Sequence, residues 1–345
     1  MSESVIELDG SFGEGGGQIL RSSLALSLLT GKPFRLHNIR AGRPKPGLQP
    51  QHLMSVQAAG TIGRAAMLGA SRGSSELEFR PATVQAGSYR FDIGTAGATS
   101  LVLHTVYLPL ALRGGVASKL TLTGGTHVQH SPSFHFLKTT WQRYLDLFGL
   151  RLTLNMVRPG FYPRGGGVVE AVIKPCAGLK GATLRQRGEV KVIGLSAIAG
   201  LPEHVAGRQA RRAHHRLRDL HGIKVDVAEE TWPGGPGSVL ALTVHTTPVP
   251  ALFLGLGERG KPAEKVADEA VAEANAYLKA APAAVDPYSG DQILLPLALA
   301  EGPSEYSVAE VTRHLLTNIA VIRRFLDREI VCEGEEGRPG VVRIA

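Results

Sequence analysis

The sequence predicts an α+β fold. One unit, a small sheet with two helices on one face, is used three times, and a smaller α/β domain is inserted into the third copy. Three observations predict this. The order strand, helix, strand, helix, strand, strand recurs with a period of roughly eighty residues. Apolar positions change between alternation and helical spacing at glycine-rich junctions. The rhythm then breaks over residues 183–280, which carry their own strands and helices. Residues 1–182 with 281–345 are therefore expected to form the repeated domain, and residues 183–280 the insert.

In the first unit residues 5–8 alternate as a strand. A glycine-rich turn at residues 13–17 leads into a helix at 19–29, closed by Gly31 and Pro33. Residues 34–37 form the next strand, 52–66 the second helix, and 77–79 and 89–91 two strands around a turn. The second unit has helices at 98–112 and 134–148, a strand at 120–122, and strands at 150–156 and 168–173. The third begins near Tyr288, with a helix at 293–300, a strand at 306–308, a helix carrying His314, and strands at 330–331 and 341–344. Within the insert, 190–193 and 239–244 read as strands, 203–220 as a basic helix and 264–281 as an alanine-rich helix.

Hydrophobic content of 43% with 20% charged residues is ordinary for a globular chain. No apolar run reaches the roughly 18 residues that a membrane helix needs. Two cysteines, Cys176 and Cys332, support neither a disulfide framework nor a cysteine metal site, so a reducing cytoplasm is expected. Lys plus Arg exceed Asp plus Glu by 38 to 30, a net +8. That excess suits a polyanion such as nucleic acid, and equally a basic solvated surface.

His314 stands at the start of a helix whose buried stripe is Leu315, Ile319, Ile322 and Leu326. A neutral imidazole there is suited to attack an electrophilic phosphorus and hold the group covalently. The turn before the first helix presents free N–H groups that suit a phosphate. Around it, Glu14 is a candidate ligand for a divalent cation, Arg21 a candidate counter-charge, and Gln18 shares their face. The missing Gly-Lys-Ser/Thr ending excludes a P-loop. In the loop of residues 40–52, Pro44 and Pro46 stiffen a segment holding Arg40, Arg43, Lys45, Gln51 and His52, a phosphate-binding set or an exposed basic loop. Residues 94–100 and 124–132 are small-residue turns that admit a ligand or simply turn the chain. His127, His130 and His135 lack metal-helix spacing. Tyr288, three residues before Asp291, offers a ring for a base and a carboxylate for a ribose, or an ordinary buried aromatic. Arg208, Arg211, Arg212, Arg216 and Arg218 share part of one helix face, open to an RNA backbone, a dimer contact or solvent.

Taken together, residues 9–21 (Asp-Gly-Ser-Phe-Gly-Glu-Gly-Gly-Gly-Gln-Ile-Leu-Arg), 40–52, Gly124-Gly-Thr with Pro132, 288–292 (Tyr-Ser-Gly-Asp-Gln) and 314–319 (His-Leu-Leu-Thr-Asn-Ile) resemble the RNA 3′-terminal phosphate cyclase family. The resemblance spans the chain. It implies repeats of the type seen in the C-terminal domain of translation initiation factor 3, plus the insert. It implies an ATP-dependent ligase acting in RNA processing, with a divalent cation (Mg or Mn) and, as an open expectation, a homodimer. His314 would become adenylylated, pass AMP to an RNA 3′-terminal phosphate, and let the 2′-hydroxyl close a 2′,3′-cyclic phosphate. The resemblance makes Glu14 the metal contact, Arg21 and Arg43 phosphate contacts, and Pro132 and Tyr288 the flanks of adenine. Asp291 and Gln292 fall close to the nucleotide, with Gln18, Arg40, Gln51 and His52 as polar substrate contacts. One departure stands out: His104 occupies a position where the family often has a nucleotide-contacting Gln. Relatives lacking the nucleophilic His act in ribosome assembly, the alternative reading of this fold. An enolpyruvyl-type transferase is a third, which would need no His nucleophile.

Overall fold

The computed structural model describes residues 4–280 and 282–345. It is a mixed α+β protein with several four-stranded sheets. The first contains β1 (Ile6–Asp9), β2 (Phe34–His37), β3 (Ala66–Leu68) and β4 (Leu77–Arg80), with α1 (Gln18–Thr30) and α2 (Pro50–Gly63) as crossovers. Its order is β1-β2-β4-β3, with β1 and β2 parallel and the remaining pairs antiparallel.

The same connectivity recurs. β5 (Ser88–Asp92), α3 (Thr99–Arg113), β6 (Ser118–Gly124), β7 (Leu152–Arg158) and β8 (Gly167–Ile173) give the order β5-β6-β8-β7. Between β6 and β7, α4 (Phe134–Phe136) continues through a π turn at Leu137–Trp141 into α5 (Gln142–Leu147). The third sheet, β15-β16-β14-β9, has β9 (Thr183–Leu184) at one edge. The insert separates β9 from β14 (Ser304–Val308), β15 (Ile330–Glu333) and β16 (Gly340–Ile344) and from their helices, α8 (Gly290–Ala298) and α9 (Arg313–Phe325).

The helices meet in the middle. α1 packs on α2, α3 and α9, and α8 packs on α9. That is why α1 and α3 are apolar on nearly every side, whereas strands such as β8 alternate between core and solvent. The serines of α1 survive burial because each is paired: Ser23 donates to the Ile19 carbonyl, Ser27 to the Lys32 carbonyl, and Ser22 to Asn318 of α9.

The insert has its own sheet, β11-β10-β12-β13, formed by β10 (Lys191–Ala199), β11 (Asp226–Trp232), β12 (Gly237–His245) and β13 (Ala251–Leu256). α6 (His204–His221) and α7 (Ala263–Lys279) pack together and against it. Residue 281, where the alanine-rich helix was expected to end, lies outside the described residues.

Three expectations are corrected. The helix expected to reach residue 66 stops at Gly63, because Arg64 takes a left-handed conformation (φ +46°) and residues 66–68 become edge strand β3. The strand near Tyr89 opens the second sheet and does not close the first, since β5 pairs in parallel with β6. The third sheet begins before the insert, because β9 pairs in parallel with β14 through Glu305↔Thr183 and Tyr306↔Leu184. Three residues of β3 and two of β9 are too few to show a period.

Candidate active site

Helix ends from all three repeated units converge on one cavity of about 660 Å³, with β13 and α7 of the insert forming part of its wall. Gln18 and Arg21 reach it from α1, His104 from α3, and Pro132 from the loop before α4. Asp291 and Gln292 enter from the first turn of α8, Tyr288 from just before it, and His314 from the first turn of α9. Eight of the residues singled out in the sequence thus line a single space.

The Thr312 side chain caps α9 by accepting from the Leu315 N–H at 3.2 Å. His314 follows as the second helical residue, its side chain 50% exposed, so a ligand in the cavity can reach the ring. Its Nδ1 is 3.9 Å from Glu14 Oε2, close enough for Coulombic attraction and too long for a hydrogen bond. Burial lowers the imidazole pKa below its ordinary value. Glu14 pulls it back up, and Arg21 and Arg43 lower it further. At neutral pH the ring is neutral, with a lone pair to give.

Glu14 is fixed from three sides. Its backbone N–H donates to Thr317 Oγ1 at 3.0 Å, its carboxylate accepts from the Gly16 N–H at 3.0 Å, and Arg43 donates to it at 2.5 Å. Arg43 also donates to the Glu14 carbonyl. The turn that permits this has Gly13 and Gly15 in left-handed conformations, φ +58° and +60°. Helix α1 begins at Gln18, one residue before the apolar run expected at 19–29, and its N-cap Gly17 supplies no side-chain cap. The first amides of α1 therefore remain donors without a side-chain acceptor, as an anion site requires.

Arg21 donates to Gln18 Oε1 at 2.8 Å, and burial lowers its pKa to about 10, so it stays charged. His52 is buried behind it, pushed down to about 3 by burial and then by Arg21 and Arg40. A Cβ on Gly17 would lie 2.5 Å from His52 Nε2 and 2.7 Å from Arg21 Nη1, so only glycine fits between the imidazole and the guanidinium. Burial raises Asp291 to about 7, despite the opposing pull of Arg21. His104 Nε2 and Gln292 Oε1 are buried without a partner, two polar atoms on the cavity wall that a ligand would satisfy. His104 packs on Trp141 at 4.8 Å between centroids, and burial pushes it down to about 3.

Arg40 and Gln51 are absent from the cavity wall. The Arg40 guanidinium donates to the Lys45 and Gly47 carbonyls of its own loop, and Gln51 Oε1 accepts from the Ala98 N–H at 3.1 Å. The arginines of α6 are largely committed within the insert: Arg208 pairs with Glu264, and Arg212 and Arg216 with Asp268. His127 and His135 form a 2.8 Å pair against Trp232, both kept neutral by burial.

Sequence reasoning missed Asn318, Thr317 and the insert side chains Lys261, Glu269 and Glu273. Asn318 lies one helical turn after His314, lines the cavity and donates to the Asp291 carbonyl at 2.9 Å, a position the i, i+4 rule points to. The insert residues had no such signal, because no local pattern says which face of a domain meets another.

The chain matches the family model described as RNA 3′-terminal phosphate cyclase over residues 12–332. It is 47% identical to the RNA 3′-terminal phosphate cyclase of Caldivirga maquilingensis, covering 94% of each chain. It is 45% identical to that of Ralstonia nicotianae, covering 98% of this chain and 96% of the other. The corresponding protein of Salmonella enteritidis is 42% identical, covering 96% of each. Among solved structures, the EPSP synthase of Acinetobacter baumannii aligns at 11% identity with a TM-score of 0.27, covering 94% of this chain and 61% of that one; at that score the likeness carries no argument.

Proposed function

We propose, from the premise that this chain belongs to the RNA 3′-terminal phosphate cyclase family, that it uses ATP to convert an RNA 3′-terminal phosphate into a 2′,3′-cyclic phosphate through a covalent histidine–AMP intermediate. In this reading residues 1–182 with 281–345 are repeats of the type seen in initiation factor 3, Thr183–Leu184 adds an edge strand to the third of them, and the rest of residues 183–280 is an insert that walls the site.

The observation that carries the reading is a neutral, half-exposed His314 on a cavity wall shared with Arg21, Asp291 and Tyr288. Glu14, facing Nδ1, favours the tautomer that leaves Nε2 with the lone pair, and steadies the positive ring as it forms. Nε2 attacks the α-phosphorus of ATP, the bond to the bridging oxygen breaks, and pyrophosphate leaves. Arg21 and Arg43, with the amides opening α1, oppose the charge that develops on the departing oxygens. A terminal phosphate oxygen of the RNA then takes the AMP from the ring, freeing the imidazole. The neighbouring 2′-hydroxyl attacks the activated phosphorus, loses its proton, and expels AMP. Asp291, raised to about 7, is suited to hold or release a proton near a ribose at neutral pH. The two-step route replaces a poor phosphate-oxygen leaving group with AMP, a good one.

The orphaned His104 Nε2 and Gln292 Oε1 support a hydrogen-bonding ligand such as the nucleotide in this cavity. For a divalent cation, Mg or Mn, the fit is narrower. Among the described residues no group of three or more His, Cys, Asp or Glu is arranged around an ion. Glu14 would be its protein contact, with substrate phosphates supplying the rest, and the cation would neutralise the pyrophosphate.

The test is to incubate an RNA oligonucleotide carrying a labelled 3′-phosphate with the protein and ATP. The label is expected to become resistant to phosphatase, with one AMP released per end. RNA binding with a label that stays phosphatase-sensitive would favour a non-catalytic, ribosome-assembly role.

A further inference from the structure

Tyr162 is 72% exposed, more than any other large apolar or aromatic side chain among the described residues, although its neighbour Phe161 is buried against His127. The loop that presents it is held rigidly. The Gly165 N–H donates to the Phe161 carbonyl at 2.7 Å, and Arg158 Nε donates to the Gly166 carbonyl at 2.8 Å. The N–H groups of Thr126 and His127 both donate to the Gly160 carbonyl, tying the loop to the segment that continues into the cavity wall at Val128–Pro132. On its other side Gly165 sits against Ala96, where a Cβ would lie 2.7 Å from the Ala96 Cα. Gly97 in turn meets Gln51, which neighbours His52 behind Arg21. Through Ala96–Gly97 and Gln51–His52 this loop thus connects to the back of Arg21, which lines the cavity.

Two cations share the loop. Arg158 and Arg164 are exposed, and among the described residues neither has a carboxylate within 4.0 Å, in contrast to Arg208 and Arg212 of the insert. No packing need accounts for an exposed ring on a pinned loop that also carries two guanidiniums with no carboxylate partner. Single-stranded nucleic acid is recognised by this combination, an aromatic face for a base and fixed cations for the backbone.

We infer that the loop from Arg158 to Gly166 is the docking platform for the single-stranded RNA upstream of the reacting 3′ end, with a base stacked on Tyr162 and phosphates against Arg158 and Arg164. This rests on the RNA-directed reading above. The platform lies beside the cavity, so it engages nucleotides 5′ of the terminal one and leaves the chemistry at His314 to the site already described.

The experiment uses the full chain and measures binding by fluorescence anisotropy. The ligands are a ten-nucleotide unstructured RNA and a dinucleotide, each with a 3′-phosphate, and adenylylation with labelled ATP in the absence of RNA is the control. Tyr162→Ala is expected to weaken ten-nucleotide binding by roughly five- to a hundredfold, the loss of one stacked base. Dinucleotide binding and adenylylation stay at wild-type levels, and Tyr162→Phe restores the affinity. Arg164→Ala should weaken the longer RNA and flatten its salt dependence by about one phosphate contact. Unchanged ten-nucleotide affinity in Tyr162→Ala, or equal losses on both ligands, would overturn the platform while leaving the reaction intact. A wild-type protein that binds neither phosphorylated RNA would overturn the functional reading itself, and the platform with it.

Discussion

Replacing Gly13 with Ala tests how the glycine-rich turn is fastened to the helix of His314. Gly13 has φ +58°, and a Cβ there would lie 2.3 Å from Thr317 Oγ1. That hydroxyl cannot simply retreat, because it accepts from the Glu14 N–H at 3.0 Å and donates to the Arg313 carbonyl at 2.7 Å. The left-handed conformation costs an Ala about 1–2 kcal/mol. Forcing a methyl into the packed contact adds about 1–3 kcal/mol. The variant should lose about 2–5 kcal/mol, a large share of a typical total of about 5–15 kcal/mol, and still fold. Urea denaturation reads the loss. In a Thr317→Ala background the hydroxyl clash is gone and only a 3.2 Å approach to the remaining Cβ is left, so the same substitution should cost only about 1–2 kcal/mol. The double-mutant cycle should then show a coupling of about 1–3 kcal/mol. Adenylylation of the folded fraction should also fall, since Glu14 is displaced from His314. A cost below about 0.5 kcal/mol, typical of an indifferent surface site, would refute the reasoning, as would identical costs in both backgrounds.

Adenylylation needs a neutral His314, so its acid limb should lie below the ordinary histidine value. Glu14→Gln removes the group that raises this pKa and should move the limb to lower pH, and Arg43→Ala should move it higher; a pH profile showing the opposite directions would contradict the assignment. His104→Leu removes a buried nitrogen with no partner, so thermal unfolding of the ligand-free protein should change by no more than about 1 kcal/mol. ATP affinity measured calorimetrically should fall about tenfold, one hydrogen bond lost at a buried nitrogen. Arg212→Ala removes a half-exposed pair with Asp268, so stability should drop by less than about 1 kcal/mol. RNA affinity should stay within about twofold, because that guanidinium already has a partner; a tenfold loss would make α6 an RNA contact.

The long periodic elements were legible in the sequence. α1, α3 and α9 have apolar positions that mark their bodies, and Gly31, Gly114 and Thr312 each mark one end, although Leu326, expected in the buried stripe of α9, falls just past the helix in extended backbone. Strands without alternation were not: β11, Asp-Val-Ala-Glu-Glu-Thr-Trp, is mostly exposed, and β3 and β9 are too short. Arg21 and His314 were recognisable because phosphate chemistry calls for arginine, glycine-rich turns and an imidazole, whereas Pro132, His104 and Gln292 were recognisable only through the family resemblance. What they touch was not recognisable. Nothing local says that Arg40 spends its guanidinium on its own loop, that Thr317 clamps Glu14, or that α7 of the insert walls the cavity. The first depends on the exact turn of a loop without regular structure, and the other two on contacts between segments hundreds of residues apart.

Intact-mass measurement after exposure to ATP and a divalent cation, with no RNA present, addresses the nucleophile itself. The wild-type chain should gain a single adenylate that is released by acid, maps to the peptide carrying His314, and is absent from a folded His314→Ala variant. An adenylate that persists in that variant, or a folded wild-type protein that binds ATP and never acquires one, would contradict the account.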